Sequence, residues 1–372
     1  MTKRLDLPPR PRILVVALRR LGDVLLTTPL TRSLRRAFPD ARIEMLVFSD
    51  TAAILDGNPD IDAVISSPPR PSAAESVALA RQLFRHYDLS ITTQAGDRPS
   101  FFAIVAGKTR VGVTEGRAIG RIKGMFLHRR MPMREDLHRV AETLELAKLI
   151  GIDPVAEVVA PRAERVAAAP DGPYAILHAA PFFRYKQWHA AGWRAAAQHL
   201  CARGLTLVAT GGPSAAEKAY LDTIWDAIDI RRLDGALSWP ELATLIAGAE
   251  VFLGPDTSVT HLAAAAGCPT VALFGPTDPR RWAPWPAGGL IAEPFEERGS
   301  VQRRGNVIVV QNPLPGMPCG LEGCLRNVQS HSLCLDQMSA ETVISALDMA
   351  LSTGAPAGDR GGAAPQTPLF SP

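Results

Sequence analysis

Four residues of the stretch "LGPDTSVTHLAAAAG" could act together on an anionic ligand. Asp256, Thr257, Ser258 and His261 fall where an apolar strand pattern ends at Leu253 and a helical pattern begins. A helix N-terminus offers unpaired N–H groups and a positive dipole end, which suits phosphate. Thr257 and His261, four apart, share one face. The plainer alternative makes Asp256 the N-cap and His261 a packed core residue. The loop "PFFRYKQWHAAGW" adds Arg184 and Lys186 between another strand and helix, where a lysine can act as a point charge against a diphosphate or stand as a solvated cation. In "TGGPSAAEKAYL", Gly212 lies in a glycine pair after a strand, and Glu217 is three residues beyond Ser214. That spacing fits a capping box or a partner for a ribose hydroxyl. "SWPELATLIAG" repeats the device with Ser238 and Glu241, here as a cap alone.

Asp23 presents a different problem. In "RRLGDVLLTTPL" it follows Gly22 just after the apolar run Ile13 to Leu18, where a turn usually cradles phosphate. A carboxylate there would repel a diphosphate. Pro29 fits the first residue of a helix capped by Thr28, which leaves Asp23 in the loop or a loose first turn. Asp60 and Asp62 form a D-x-D, but after "GNP" they read as turn chemistry rather than a metal site. Cys319, Cys324 and Cys334, with His331, could supply a tetrahedral zinc set, although the spacing lacks a tight C-x2-C pair and reduced structural thiols are favoured.

These loops need strands to hold them. "RILVVAL", "RIEMLVF", "DAVISS", "YDLSITTQ" and "GKTRVGV" alternate with helical patterns, and a second series, "YAILHAA", "LTLVATGG", "DIRRLDG", "AEVFLGPD" and "PTVALFGP", follows a Pro- and Ala-rich segment. Alternation of this kind implies βαβ units and mostly parallel sheets. The class is therefore α/β, with two Rossmann-like, doubly wound domains facing a central cleft and ligands held at strand carboxyl ends. The expected boundaries are 1–155 for the first domain, 156–173 for a linker, 174–338 for the second domain and 353–372 for a disordered Gly/Ala/Pro tail.

Composition limits the function classes. A net charge of +3 over 372 residues does not point to a nucleic-acid partner. Charge is uneven, however: residues 116–134 hold Arg117, Arg121, Lys123, Arg129, Arg130 and Arg134 without an acid. Apolar stretches such as "SFFAIVAG" are shorter than the roughly 20 residues of a membrane helix. The first twelve residues lack the apolar core of a secretion signal, and five scattered cysteines make no disulfide framework. A cytoplasmic protein with at most peripheral membrane contact is expected.

The ordered set "RRLGDVLLTTPL", "HRVAETLELAKLIGI", "RYKQW", "GGPSAAEK", "LGPDTSVTHLAAAAG" and "LFGPTDP", from about Arg12 to Leu347, resembles glycosyltransferase family nine, the ADP-heptose:lipopolysaccharide heptosyltransferases. The resemblance implies a GT-B fold with an acceptor-binding first half, a nucleotide-sugar-binding second half and a final helix, 339–351, that crosses back to complete the first domain. It implies inverting, metal-independent transfer of heptose from ADP-heptose to an acidic, lipid-linked lipopolysaccharide inner-core acceptor, at the inner face of the inner membrane, with no cofactor. Asp23 looks like the catalytic base, Lys186 like the cation on the diphosphate and Glu217, beside Gly212, like the ribose partner. Asp256, Thr257, Ser258 and His261 look like the sugar and phosphate loop. The basic segment with Arg117 and Arg121 lies where the family meets its acceptor. Ala179 to Phe183 depart from the family's hydroxyl residues, which affects donor contacts more than fold or reaction. Other readings are a transferase using a different nucleotide sugar for capsule or another surface glycan, a nucleotide-sugar epimerase, and a non-catalytic nucleotide-sugar-binding protein.

Overall fold

The computed structural model describes residues 3–115, 122, 124–289 and 295–352. Its first sheet holds β1 (Arg12–Val16), β2 (Arg42–Phe48), β3 (Ala63–Ser67), β4 (Tyr87–Thr92), β5 (Gly107–Thr114) and β6 (Arg129–Pro132), all parallel in the order β3-β2-β1-β4-β5-β6. Helices α1 (Leu21–Leu25), α2 (Thr28–Ala37), α3 (Ala73–Leu83), α4 (Asp97–Ala106) and α5 (Arg139–Leu149) complete this unit. Successive strand side chains point to opposite faces, so Ile13 and Val15 join one apolar cluster while Leu14 and Val16 join another with Phe102 and Ala103 of α4. With both faces covered, β1 is apolar from Ile13 to Val16 without alternation.

No helix or strand forms between Leu149 and Tyr174. The second unit contains β7 (Tyr174–Leu177), β8 (Thr206–Ala209), β9 (Arg231–Arg232), β10 (Val251–Pro255), β11 (Thr270–Phe274), β12 (Val301–Arg304) and β13 (Val307–Gln311), ordered β12-β13-β11-β10-β7-β8-β9. Among the described residues only β12 runs antiparallel, joined to β13 through Gly305 and Asn306. Its helices are α6 (Ala190–Ala202), α7 (Ala215–Trp225), α8 (Trp239–Ala247), α9 (Ser258–Ala265), α10 (Pro279–Trp282), α11 (Leu333–Asp336) and α12 (Ala340–Leu351). Strand order reverses between β1 and β4 in one sheet and between β7 and β10 in the other. Each reversal opens a crevice at the strand ends, and Asp23, Lys186 and Asp256 all follow one of these strands.

Two details differ from the sequence reading. Helix α12 does not complete the first domain: Val343, Ala346, Leu347 and Ala350, spaced as one helical stripe, pack with Leu253, Val271, Ile308 and Trp188 of the second unit. Asp348 also accepts from His199 of α6 at 2.8 Å. Helix α2 begins at Thr28, one residue early, with Thr27 at the cap. No described helix is long and apolar enough to cross a membrane. The 353–372 tail lies outside the described residues.

Leu347 is fully buried. Leu347→Ala should lower stability by about 2–5 kcal/mol. The loss is expected in urea melts followed by tryptophan fluorescence, because Trp188, Trp193 and Trp225 share its cluster.

Candidate active site

Asp23 sits in the first turn of α1. Its side chain is only 13% exposed, and two guanidiniums hold it from one side. Arg19 donates from Nη1 to Oδ1 at 3.2 Å and from Nε to Gln94 at 2.7 Å. Arg139, buried at the start of α5, donates to Glu142 and to the Thr93 carbonyl, each at 2.8 Å. Its Nε has no hydrogen-bond partner and lies 3.7 Å from Asp23 Oδ1. Burial, then the Arg19 charge, pull Arg139 below the ordinary guanidinium range, while Asp23 and Glu142 pull back. Asp23 Oδ2 receives no hydrogen bond from the described residues. One carboxylate oxygen is anchored and the other is free for a hydroxyl.

Across the cleft, Lys186 ends a short 3-10 turn after β7 and donates to Asp256 Oδ2 at 2.6 Å and to the Asp256 carbonyl at 3.1 Å. Asp256 is therefore a tether for Lys186, and the N-cap position belongs to Thr257, whose side chain caps nothing. Burial pushes the Asp256 carboxyl up, but the charges of Lys186 and His261 outweigh it and hold the group below the usual carboxylate range. An ammonium has three N–H groups. Two go to Asp256, and one is left for a ligand. The first turn of α9, with Ser258 half-buried at its start, adds uncapped backbone N–H groups beside it.

His261 joins the two halves. A Cβ added at Gly22 would lie 3.4 Å from His261 Cδ2 and 3.6 Å from Ser258, so α1 and α9 touch backbone to side chain. Gly22 therefore sits at the contact between the two units, where a methyl would be in ordinary van der Waals contact. The imidazole is buried and its Nδ1 lacks a hydrogen-bond partner. Burial lowers its pKa from the ordinary histidine value, with Lys186 adding to the effect and Asp256 and Asp23 opposing it. One ring thus feels both the acid of the first unit and the ion pair of the second.

Further along the second sheet, Glu217 Oε1 accepts from Gly212 N at 2.5 Å, while Ser214 Oγ accepts from Glu217 N. Glu217 is thus turned toward the glycine pair instead of closing a capping box. A Cβ at Gly212 would meet Glu217 Oε2 at 2.4 Å, so a side chain there would push the Glu217 carboxylate out of its present position. The Ser238–Glu241 capping box does form. Asp60 and Asp62 accept from Arg32 and Arg35 at 2.6 and 2.7 Å, as structural anchors. Among the described residues no three His, Cys, Asp or Glu side chains form a metal-binding group, and His331 is engaged by Asp336, so the zinc alternative for Cys319, Cys324 and Cys334 is not assembled. Arg117 and Arg121 lie outside the described residues. Arg19 and Arg139 are site residues that the sequence reading missed. Arg19 had a signal in its four-residue spacing from Asp23.

The family profile described as glycosyltransferase family 9 (heptosyltransferase) matches residues 76–292. The chain belongs to that family. The transferase is 30% identical over 285 residues to lipopolysaccharide heptosyltransferase 3 of Escherichia coli K12, covering 71% of this chain and 82% of that one. It is 29% identical over 283 residues to lipopolysaccharide heptosyltransferase 1 of Pseudomonas aeruginosa, covering 72% and 79%. Among solved structures, an E. coli heptosyltransferase with ADP superposes with a TM-score of 0.69 at 22% identity, covering 91% of this chain and 99% of that one. A family 9 transferase from Veillonella parvula gives 0.72 at 19% identity, with coverages of 92% and 98%. These likenesses establish the GT-B architecture of the transferase.

Two outcomes are expected of this geometry. Gly22→Leu should drive α1 from α9 and reduce transfer by at least about tenfold with the fold retained, as circular dichroism and initial rates would show. The acid limb of stability should be set by buried histidines. His138 accepts from Val140 N and bonds the Ala283 carbonyl through Nε2 at 2.8 Å, so it is held neutral, and burial pushes its pKa down to about 3. Burial likewise takes His178 to about 4. The unfolded chain accepts protons that these folded sites refuse. Stability should therefore fall as pH drops from about 6.5 toward 4, and His178→Asn should flatten the Tm profile in that window.

Proposed function

We propose that this transferase moves heptose, with inversion, from ADP-heptose to a lipopolysaccharide inner-core acceptor at the cytoplasmic face of the inner membrane. The observation that carries the proposal is the placement of Asp23, with one free carboxylate oxygen, across the Gly22–His261 contact from Lys186 and the α9 N-terminus. The names of the relatives and the ADP-bound neighbour support the substrate class.

In this reading Asp23 takes the proton of the acceptor hydroxyl while its oxygen attacks the anomeric carbon on the face opposite the diphosphate. The bond from the anomeric carbon to the phosphate oxygen breaks, the electron pair leaves with ADP, and the sugar configuration inverts. Charge develops on the sugar ring as an oxocarbenium-like state and on the departing phosphate. The remaining Lys186 N–H and the first-turn amides of α9 meet the phosphate charge. Arg19 and Arg139 hold the base in place, and Glu217 with Gly212 takes the ribose. Thr257 and Ser258 line the sugar and phosphate loop. Arg117 and Arg121 would meet the acidic acceptor. Protein cations fill the role that a metal has in other transferases, so no cofactor is required.

Asp23→Asn should lower kcat by about 10²–10⁴-fold, while ADP affinity in calorimetry stays near the wild-type value. Donor exchange separates the alternatives. Transfer from ADP-heptose, undiminished by EDTA, supports the proposal, whereas product from a hexose donor alone overturns the donor assignment. Donor turnover without acceptor would mark an epimerase, and binding without turnover a silent protein.

A further inference from the structure

Apart from Asp23 and its partners, the first unit presents an apolar face. Helix α4 buries Phe102, Ala103 and Ala106 but turns Phe101 outward at 49% exposure, beside Ile122, Met125 and Phe126 at 55, 70 and 52%. Phe101, Ile104, Ile122 and Phe126, with Asp97 and Ser100, line a groove of about 290 Å³. Single exposed apolar side chains are ordinary, but a contiguous group of this size marks a contact surface.

Cations frame the group. Ser90 of β4 donates to the Ala103 carbonyl, so it projects from the sheet face that α4 covers. The register pairs Ser90 with Arg110 and Gly112 with Arg130, which puts both arginines on that face. A Cβ at Gly124 would lie 2.9 Å from Arg130 Nη1, so this guanidinium rests against the turn carrying Met125 and Phe126. In sequence, residues 116–134 hold six Lys or Arg and no acid. Of the groove residues Asp97 alone is acidic.

Aromatic and aliphatic tips flanked by two arginines fit an anionic headgroup layer, where apolar tips enter the acyl boundary and cations stay at the phosphates. We infer that this face docks on an anionic lipid bilayer, with Phe101, Ile122, Met125 and Phe126 inserted and Arg130 and Arg110 at headgroup phosphates. This inference rests on the lipid-linked acceptor proposed above and names the surface that brings the enzyme to it. Groove and base are close along the chain: α4 begins three residues after Gln94, which holds Arg19 beside Asp23.

The full chain, without donor or acceptor, should be sedimented with phosphatidylcholine vesicles with and without phosphatidylglycerol. Wild type should bind the anionic vesicles about tenfold or more tightly than the neutral ones, with the difference collapsing in high salt. Phe101→Ser with Phe126→Ser, and separately Arg130→Glu, should each weaken binding by several-fold or more. Tm and ADP affinity in calorimetry should be unchanged in both variants. Equal binding to both vesicle types, no binding by wild type, or binding unaffected by both variants would overturn the inference. So would loss of a dimer in the double serine variant, which would assign the face to a second copy. A failed heptose assay with vesicle binding intact would count against the reaction, not the surface.

Discussion

The contact between α1 and α9 is the constraint on which the site depends. Each helix start is unremarkable alone: one is a single turn with an acid, the other an uncapped N-terminus. Chemistry becomes available only where the Gly22–Asp23 turn meets Ser258 and His261. A side chain larger than a methyl would separate the acid from the cation, and each half would keep its fold without a reaction to perform. The limit at position 22 is steric: a methyl fits at ordinary contact distance.

Around this contact, ionic groups are spent on position as much as on charge. Lys186 is fixed twice by Asp256, which costs it two of its donors and leaves one in a defined direction. Arg139 is fixed by Glu142 and the Thr93 carbonyl, so its third edge points at Asp23 whether or not a ligand is present. Preorganisation of this kind moves the entropic cost of ordering from the reaction to folding. The same arrangement explains why buried charges are tolerated here, since each has a partner of opposite sign.

Much of this was legible in the residues. Periodic apolar runs placed most strands, and the rule that ligands gather at strand ends drew attention to the loops carrying Asp23, Lys186, Glu217 and Asp256, whose joint roles only the family resemblance implied. The illegible parts share a cause. Strand β6, "RRMP", is a four-residue sheet edge with no alternation, and β12 and β13 are short runs whose pairing depends on a two-residue turn. The apolar stripe of α12 declares that it must be buried, not against which sheet. Arg139 looks like any arginine near a helix start, and its role exists only where three chain segments converge. Asp256 looked like a cap because aspartate often caps; a lysine seventy residues away in sequence claimed it instead.

The segment between the two sheets has a thermodynamic meaning of its own. Although it forms no helix or strand, Val155 and Val159 donate to Ser33 and Thr28 of the first unit, and Ala163 donates to Thr244 of the second. The Ala156 carbonyl accepts from Trp285 at 2.7 Å. A connector stitched to both sides is a shared structural member rather than a tether. One apolar cluster also runs from Ile13 to Phe252 and Trp285. Unfolding either half would strip the other of part of its packing, so the stabilities of the two halves are coupled.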